Sequence, residues 1–447
     1  MKRFLPWILL TAVGCSSAPQ SDRIRISYWE KWTGFEGEAI AAVVKAFNEK
    51  PERQDDRIEV ELTTVSQIDR KLLVAIAGGD PPDVAGSYTF ALYSYAEKGA
   101  LMDLTDSLRE MGITRDNFMP AYWDMCEYQG RMWGLSTTPA TVALHWNKRL
   151  FREAGLDPNK PPRTIAELDG LSNKMTKWKR GDEIRTGAKP EGDGWKLIQV
   201  GFLPQEPGWW SWAWGFWFGG KVWDGKDKIT IDSPENLAAY QWVRSFTERY
   251  GKDNIEKFTG GFGNFSSPQN AFLSGRVAME IQGVWMHNFI EKYAPGMEWG
   301  AAPFPGVKLL EDPVTNVEAD VIVIPKSSKH PKEALEFIRY VVSREGMELL
   351  CSGHRKFSPL AEVSSGFAKM NPPGNPFIDM FRDMSYSSNG FSIAKTGVWN
   401  EYRRELGVAF DEIRSLKRPV KEVLGELQGR MQGRLDKALR RQKLRER

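Results

Sequence analysis

The stretch "QIDRKLLVAIAGGDPPDVAG", Gln67–Gly86, decides the fold class. Leu72, Leu73 and Ile76 fall at helical spacing on one face. Gly78 and Gly79 then stop the helix, Pro81 and Pro82 turn the chain, and Asp83–Ala85 follows as a short strand. The same alternation runs to either side. Upstream, "RIRISYWEKW" (Arg23–Trp32) puts Ile24, Ile26 and Tyr28 on one side of a first strand. Next, Ile40, Val43, Val44 and Phe47 recur at helical spacing, and "RIEVELTTV" (Arg57–Val65) reads as a second strand. Downstream, "LYSYAEKGALMDLT" predicts a helix closed by Gly99. Strand–helix alternation of this kind predicts an α/β fold with a largely parallel sheet.

A second run predicts strands near Met132–Leu135 and Val142–Trp146, then a helix from about Lys148. A Pro-rich turn (Pro158, Pro161, Pro162) leads into a helix at Thr164, where Glu167 completes a capping box. Leu237, Tyr240, Val243 and Phe246 form the stripe of a further helix, with Ser233 as N-cap and Gly251 as stop. No tandem repeat is present.

The chain has 447 residues, a length for two or three domains. Hydrophobic content of 41% with 27% charged residues is that of a soluble globular protein. The 61 basic and 58 acidic residues nearly balance, which argues against nucleic acid as a partner. The basic cluster Arg434–Arg447 reads as a solvated, frayed helix end. The unusual number is 18 Trp, a residue used at half-wet binding surfaces.

"MKRFLPWILLTAVGCSSAPQ" has a basic start (Lys2, Arg3), a short apolar run and small residues before Cys15. Residues 1–14 are expected to be a signal peptide, too short to span a bilayer as a structural helix. "AVGC" resembles a bacterial lipobox, with Ala12 in place of the usual Leu, so Cys15 is the expected lipidation site. Residues 15–22 would be a tether. The location implied is extracytoplasmic, periplasmic or cell-surface, with the membrane met through the lipid alone. Two other cysteines exist, Cys126 and Cys351, and an oxidising exterior permits a disulfide between them.

Eight segments in order resemble the bacterial extracellular solute-binding proteins of ABC transporters, in the sugar-binding family that includes maltodextrin-binding protein. They are "YWEKWTGFEGEAI", "LLVAIAGGDPPDV", "YAEKGALMDLTD", "ALHWNKRLFREAGLDPNKPPRTIAEL", "AFLSGRVAMEIQGVWM", "WGAAPFPG", "VIVIPKSSKHPKEALEFIRYV" and "SPLAEV". His145 departs from the Tyr usual at its position and is expected to pack. The resemblance implies two α/β lobes, a hinge of three chain crossings and a ligand cleft between the lobes. Crossings near Ser136, Asp320 and Lys356 give one lobe of residues 23–135 and 320–356 and another of 136–319 and 357–447. Both Cys126 and Cys351 then fall in the first lobe, as a disulfide or as two buried thiols.

A sugar packs its C–H faces on aromatic rings and needs donors and acceptors for its hydroxyls. A buried polar group left unpaired costs about 1–3 kcal/mol, which makes such a site selective. After the first strand, Trp29, Glu30, Lys31, Trp32 and Glu36 are candidates, with Trp29 divided between cleft and core. Ser87 and Tyr88 follow the Pro-Asp strand. By the resemblance, Trp285 and Trp399 stand where the family stacks Trp on sugar, with Asn400 beside the second. Glu318 and Asp320 near a crossing would accept from hydroxyls. "GWWSWAWGFWFGG", Gly208–Gly220, holds five Trp and two Phe in thirteen residues. On a helical wheel its aromatics point all round, which means burial on more than one side. Trp209 and Trp212 are the expected cleft members.

Four His occur, none at a metal-ligand spacing, and no nucleophile elbow or phosphate loop is present. No catalytic residue, metal or cofactor is expected. The resulting expectation is a monomeric, non-catalytic, lipid-tethered protein that captures a saccharide of two or more rings and presents it to permease subunits. A secreted glycan hydrolase, with paired carboxylates among Trp platforms, and a surface glycan adhesin are the alternatives.

Overall fold

The computed structural model describes residues 23–264, 266–367 and 374–445. The expected signal peptide, the tether and Cys15 lie outside the described residues.

Two sheets organise two lobes. The larger has five strands in the order Ile58–Thr64, Ile24–Glu30, Val84–Tyr88, Ala319–Val323, Leu135–Pro139. Ile24–Glu30 runs parallel to both its neighbours. The helix Gly34–Asn48 joins the first two strands and buries Ile40, Val43, Val44 and Phe47 at the spacing read from sequence. The helix Ile68–Ala77 leads through the Pro-Pro turn into Val84–Tyr88. Parallel strands need such crossovers, so the alternating pattern fixed this half of the sheet.

The expectation of a largely parallel sheet is corrected elsewhere. Ala319–Val323 pairs antiparallel with both Val84–Tyr88 and Leu135–Pro139. The second lobe is built on Val142–Asn147, flanked by Met279–Gly283 and Trp299–Ala302, all antiparallel. These strands come from distant parts of the chain, so local alternation carries no information on their direction. Leu135–Pro139 belongs to the first sheet and Val142–Asn147 to the second, so the chain passes between them over residues 140 and 141.

The Thr164 side chain accepts from the Glu167 N–H (3.2 Å), as the capping box requires. The Glu167 carboxylate reaches one residue further back, to the Arg163 N–H (2.7 Å). Ser233 accepts from the Asn236 N–H, and Gly251 ends that helix at φ 80°. The basic C-terminal cluster, as far as residue 445, sits on one continuous helix, Val420–Arg445, whose Leu424, Leu427, Met431 and Leu435 are buried. Among the described residues no helix is long and apolar enough to cross a membrane.

The tryptophan-rich stretch is not one helix. Helix is confined to Trp214–Trp217, and the residues on either side are mostly turn and bend. The chain of turns sends successive rings into different surroundings. Trp214 and Trp217 fill the core of the second lobe against Trp242 and Phe304. Trp209, Trp210 and Trp212 line the cavity described below.

Cys126 and Cys351 are free and buried. The Cys126 Sγ lies 3.3 Å from Ser136 Oγ, and the Cys351 thiol donates to the Thr137 carbonyl (3.6 Å). Burial pushes both thiols up to about 12. His145 packs as expected: it stacks on Trp299 (5.5 Å, 12°), and burial pushes its imidazole down to about 3.

Candidate functional site

Between the lobes lies a cavity of about 700 Å³. The first lobe supplies Lys31, Trp32 and Glu36 from the end of the first strand and the start of its helix, and Tyr88 from the third strand. Asp320 enters from the antiparallel strand Ala319–Val323, Glu318 from the residue just before it, and Lys356 follows the helix Arg344–His354. The second lobe supplies the turn Gly208–Trp212 and Trp285. Arg403, Arg404 and Gly407 come from the helix Trp399–Arg414.

The aromatic wall is continuous. Trp210 and Trp285 are near-parallel (22°, centroids 6.4 Å apart), and Trp209 leans on both at 5.6 Å and 6.0 Å. Trp285 is held from behind. Its Nε1 donates to Gln282 Oε1 (3.1 Å), and Gln282 Nε2 donates to the buried Glu280 Oε1 (3.1 Å). Gly283 makes room for this ring: a Cβ there would stand 2.1 Å from it.

The cavity also holds a charged cluster. Lys31 Nζ meets Glu30 Oε1 (3.1 Å), Asp320 Oδ1 (3.2 Å) and the Ser87 carbonyl (3.3 Å). An ammonium has three donors, and all three are taken here. Lys31 therefore holds carboxylates in place and has no donor left for a ligand. The same ammonium lies over the Trp32 and Tyr88 rings, at 4.5 Å and 4.7 Å. Burial alone would lower the Lys31 value, but Asp320 and Glu30 outweigh it and hold it above the ordinary lysine range. Burial acts to raise Asp320, yet Lys31, then Lys356 and the Thr138 hydroxyl (2.7 Å), bring it below the usual carboxylate value. Burial raises Glu36, with Lys356 opposing, and raises Glu318 against the Asn316 amide (3.2 Å) and Arg403. The cavity thus presents carboxylate acceptors beside fixed cations together with an aromatic wall.

Nine of the fourteen sequence-selected residues line this cavity: Lys31, Trp32, Glu36, Tyr88, Trp209, Trp212, Trp285, Glu318 and Asp320. Five do not, for identifiable reasons. Trp29 is half-buried on the strand face opposite Tyr28 and Glu30. Glu30 is buried beneath the site, where its carboxylate accepts from Tyr28 Oη (2.6 Å) and from Lys31. Gly86 leaves the space it occupies, since a Cβ there would stand 1.8 Å from Glu30 Oε2. Ser87 is buried and offers its carbonyl to Lys31. Trp399 is fully buried, edge-on to Trp212 at 5.1 Å, because it heads the apolar stripe Trp399, Tyr402, Leu406, Phe410. Asn400 is half-buried outside the cavity.

Trp210, Phe90, Lys356 and the pair Arg403–Arg404 were missed by sequence reasoning. Arg403 falls one turn after Trp399, so helical spacing could have found it. Its guanidinium lies over Phe90 (4.2 Å), tying the second lobe's helix to the first lobe's. Lys356 stands at an expected crossing, as Asp320 does, and could have been found on the same ground, whereas nothing local in the sequence marks Phe90.

A profile of the family described as bacterial extracellular solute-binding protein matches residues 34–348. The chain is 25% identical over 362 residues to the arabinooligosaccharide-binding protein of Bacillus subtilis, covering 77% of this chain and 76% of that one. Among solved structures, CpMnBP1 with mannobiose bound superposes with a TM-score of 0.78 at 26% identity, covering 91% of this chain and 98% of that one. The cyclic alpha-maltosyl-1,6-maltose binding protein from Arthrobacter globiformis shares the fold at a TM-score of 0.68 and 18% identity, covering 92% and 99%.

Proposed function

The chain belongs to the bacterial extracellular solute-binding proteins, and from that premise we propose that it is the extracytoplasmic binding component of an ABC importer for an oligosaccharide. The observation that carries the reading is the cavity between the lobes. Trp209, Trp210 and Trp285 line it together with Glu36, Glu318 and Asp320, which suits a ring with apolar faces and a hydroxylated edge. Relatives named for arabinooligosaccharide and a solved relative holding mannobiose support a ligand of two or more rings.

In this reading residues 23–135 and 320–356 form one lobe and 136–319 with 357–447 the other. Strand pairing supports moving the first passage to residues 140 and 141. Hinge closure brings the walls together on the sugar and excludes water. The closed form docks on permease subunits through both lobes, and lipid on Cys15 holds the monomer at the membrane. The protein releases its ligand chemically unchanged. Mannobiose, maltotriose and arabinobiose belong in the first thermal-shift panel. A ligand at a hundred times its Kd stabilises by about 2.7 kcal/mol, which is readily seen. Cleavage of the sugar, followed by chromatography, would overturn the reading in favour of a hydrolase.

A further inference from the structure

Lys356 differs from its neighbour Lys31. It is only 3% exposed, and its side chain reaches the cavity. Among the described residues, no hydrogen bond is made by its ammonium. The nearest carboxylate oxygen, Glu36 Oε1, stands 3.9 Å away, and the Trp285 ring centroid 5.7 Å away. The residue is buried, but its ammonium opens on the cavity, where its three donors are available to a ligand. At 3.9 Å the contact with Glu36 is a charge pair without a hydrogen bond, beyond the usual 2.7–3.2 Å range.

We propose that Lys356 and Glu36 form a two-sided reader of a ligand hydroxyl at the Trp285 platform, and so select a neutral sugar ring at that position. The proposal rests on the saccharide reading above and names the ring chemistry of the same site. A hydroxyl placed about 2.8 Å from both atoms subtends about 90° at its oxygen, so it accepts from Lys356 while donating to Glu36. A hydroxyl is the common sugar substituent that performs both roles at once. A uronate carboxylate or a phosphate satisfies the ammonium but lies against Glu36, with Asp320 also close to Lys356. An amino group satisfies Glu36 but meets Lys356. The offset pair therefore rejects either sign of charge.

The test uses the purified protein, with mannobiose, maltose and arabinobiose as neutral probes and dimannuronate as the acidic one. Wild type is expected to bind at least one neutral probe about tenfold or more tightly than dimannuronate. Lys356→Met keeps the chain length beside Trp285 and removes the donors, so it should weaken the neutral probe by about ten- to a hundredfold. Glu36→Gln should weaken the neutral probe and strengthen dimannuronate. A purely structural role for Glu36 does not produce that opposite movement, and it reads out even if Lys356→Met fails to fold. Preferred binding of dimannuronate by wild type overturns the proposal and leaves the saccharide reading standing. So does unchanged neutral affinity in folded Lys356→Met, or parallel loss of both probes in Glu36→Gln. Binding of no probe by wild type overturns both.

Discussion

Replacing Lys31 by Met removes the cation that two carboxylates share beneath the cavity. The ammonium lies 3.1 Å from Glu30 Oε1 and 3.2 Å from Asp320 Oδ1, and its side chain is only 6% exposed. At an effective dielectric of 20, each contact is worth about 5 kcal/mol of Coulomb attraction. Much of that offsets the desolvation of three charged groups, and breaking a buried pair by removing one partner typically costs about 3–5 kcal/mol. The expected loss at pH 7 is therefore about 3 kcal/mol. The sign with pH follows from Asp320. Its folded-state value is held below the ordinary one, so in wild type its contribution is present above the unfolded value of about 3.9 and is lost as pH falls through the folded value. Without Lys31 only Lys356 and the Thr138 hydroxyl are left to oppose burial, so the Asp320 value rises and its protonation relieves the unpaired charge. The deficit should shrink to less than about half on going from pH 7 to pH 4.5. Urea unfolding at the two pH values measures it. A deficit under about 1 kcal/mol at pH 7, or one equal at both values, refutes the argument that the shared ammonium is what holds these carboxylates.

Trp285→Ala should weaken saccharide binding by more than about 1 kcal/mol in calorimetry, and unchanged affinity would remove it from the ligand wall. Trp214→Ala, by contrast, empties a core site behind the same turn and should cost about 3–5 kcal/mol of stability, read as a fall in the urea midpoint. Glu280 is buried, and burial together with the nearby Glu206 pushes it up to about 8. Its contribution is fully present below the unfolded value and is lost as pH rises toward 8. Glu280→Gln should therefore flatten the stability profile between pH 5 and pH 8 and gain about 3 kcal/mol relative to wild type at pH 7. A variant with the wild-type slope would show that Glu280 is already ionised. Cys126 and Cys351 should resist a thiol reagent at pH 8 in the native protein. A chain starting at residue 23 should yield two thiols once denatured without reductant, whereas none would indicate a disulfide.

What the sequence determined by itself is the local code. The periods at Ile26–Tyr28 and Ile40–Phe47, and the stop–turn–strand of Gly78–Tyr88, sufficed for the parallel half of the first sheet, because each crossover is contiguous in the chain. Residues that enter the cavity from strand ends, such as Lys31, Glu36 and Tyr88, were legible for the same reason. Tertiary structure alone decided the rest. Ala319–Val323 inserts between strands more than a hundred residues away, and that pairing brings Asp320 to Lys31 and turns Lys31 from a ligand contact into a clamp. Trp399 matched a site position but heads a buried stripe, so the face of its helix, set by packing on the second lobe, sends Arg403 toward the cavity instead. In "GWWSWAWGFWFGG" the composition called for burial on several sides, and the turn geometry then divided it. Trp209, Trp210 and Trp212 face the cavity, while Trp214 and Trp217 stay in the core. Five identical side chains carry no mark of that division, because it depends on which lobe surface each indole meets, and those surfaces are assembled from the whole chain.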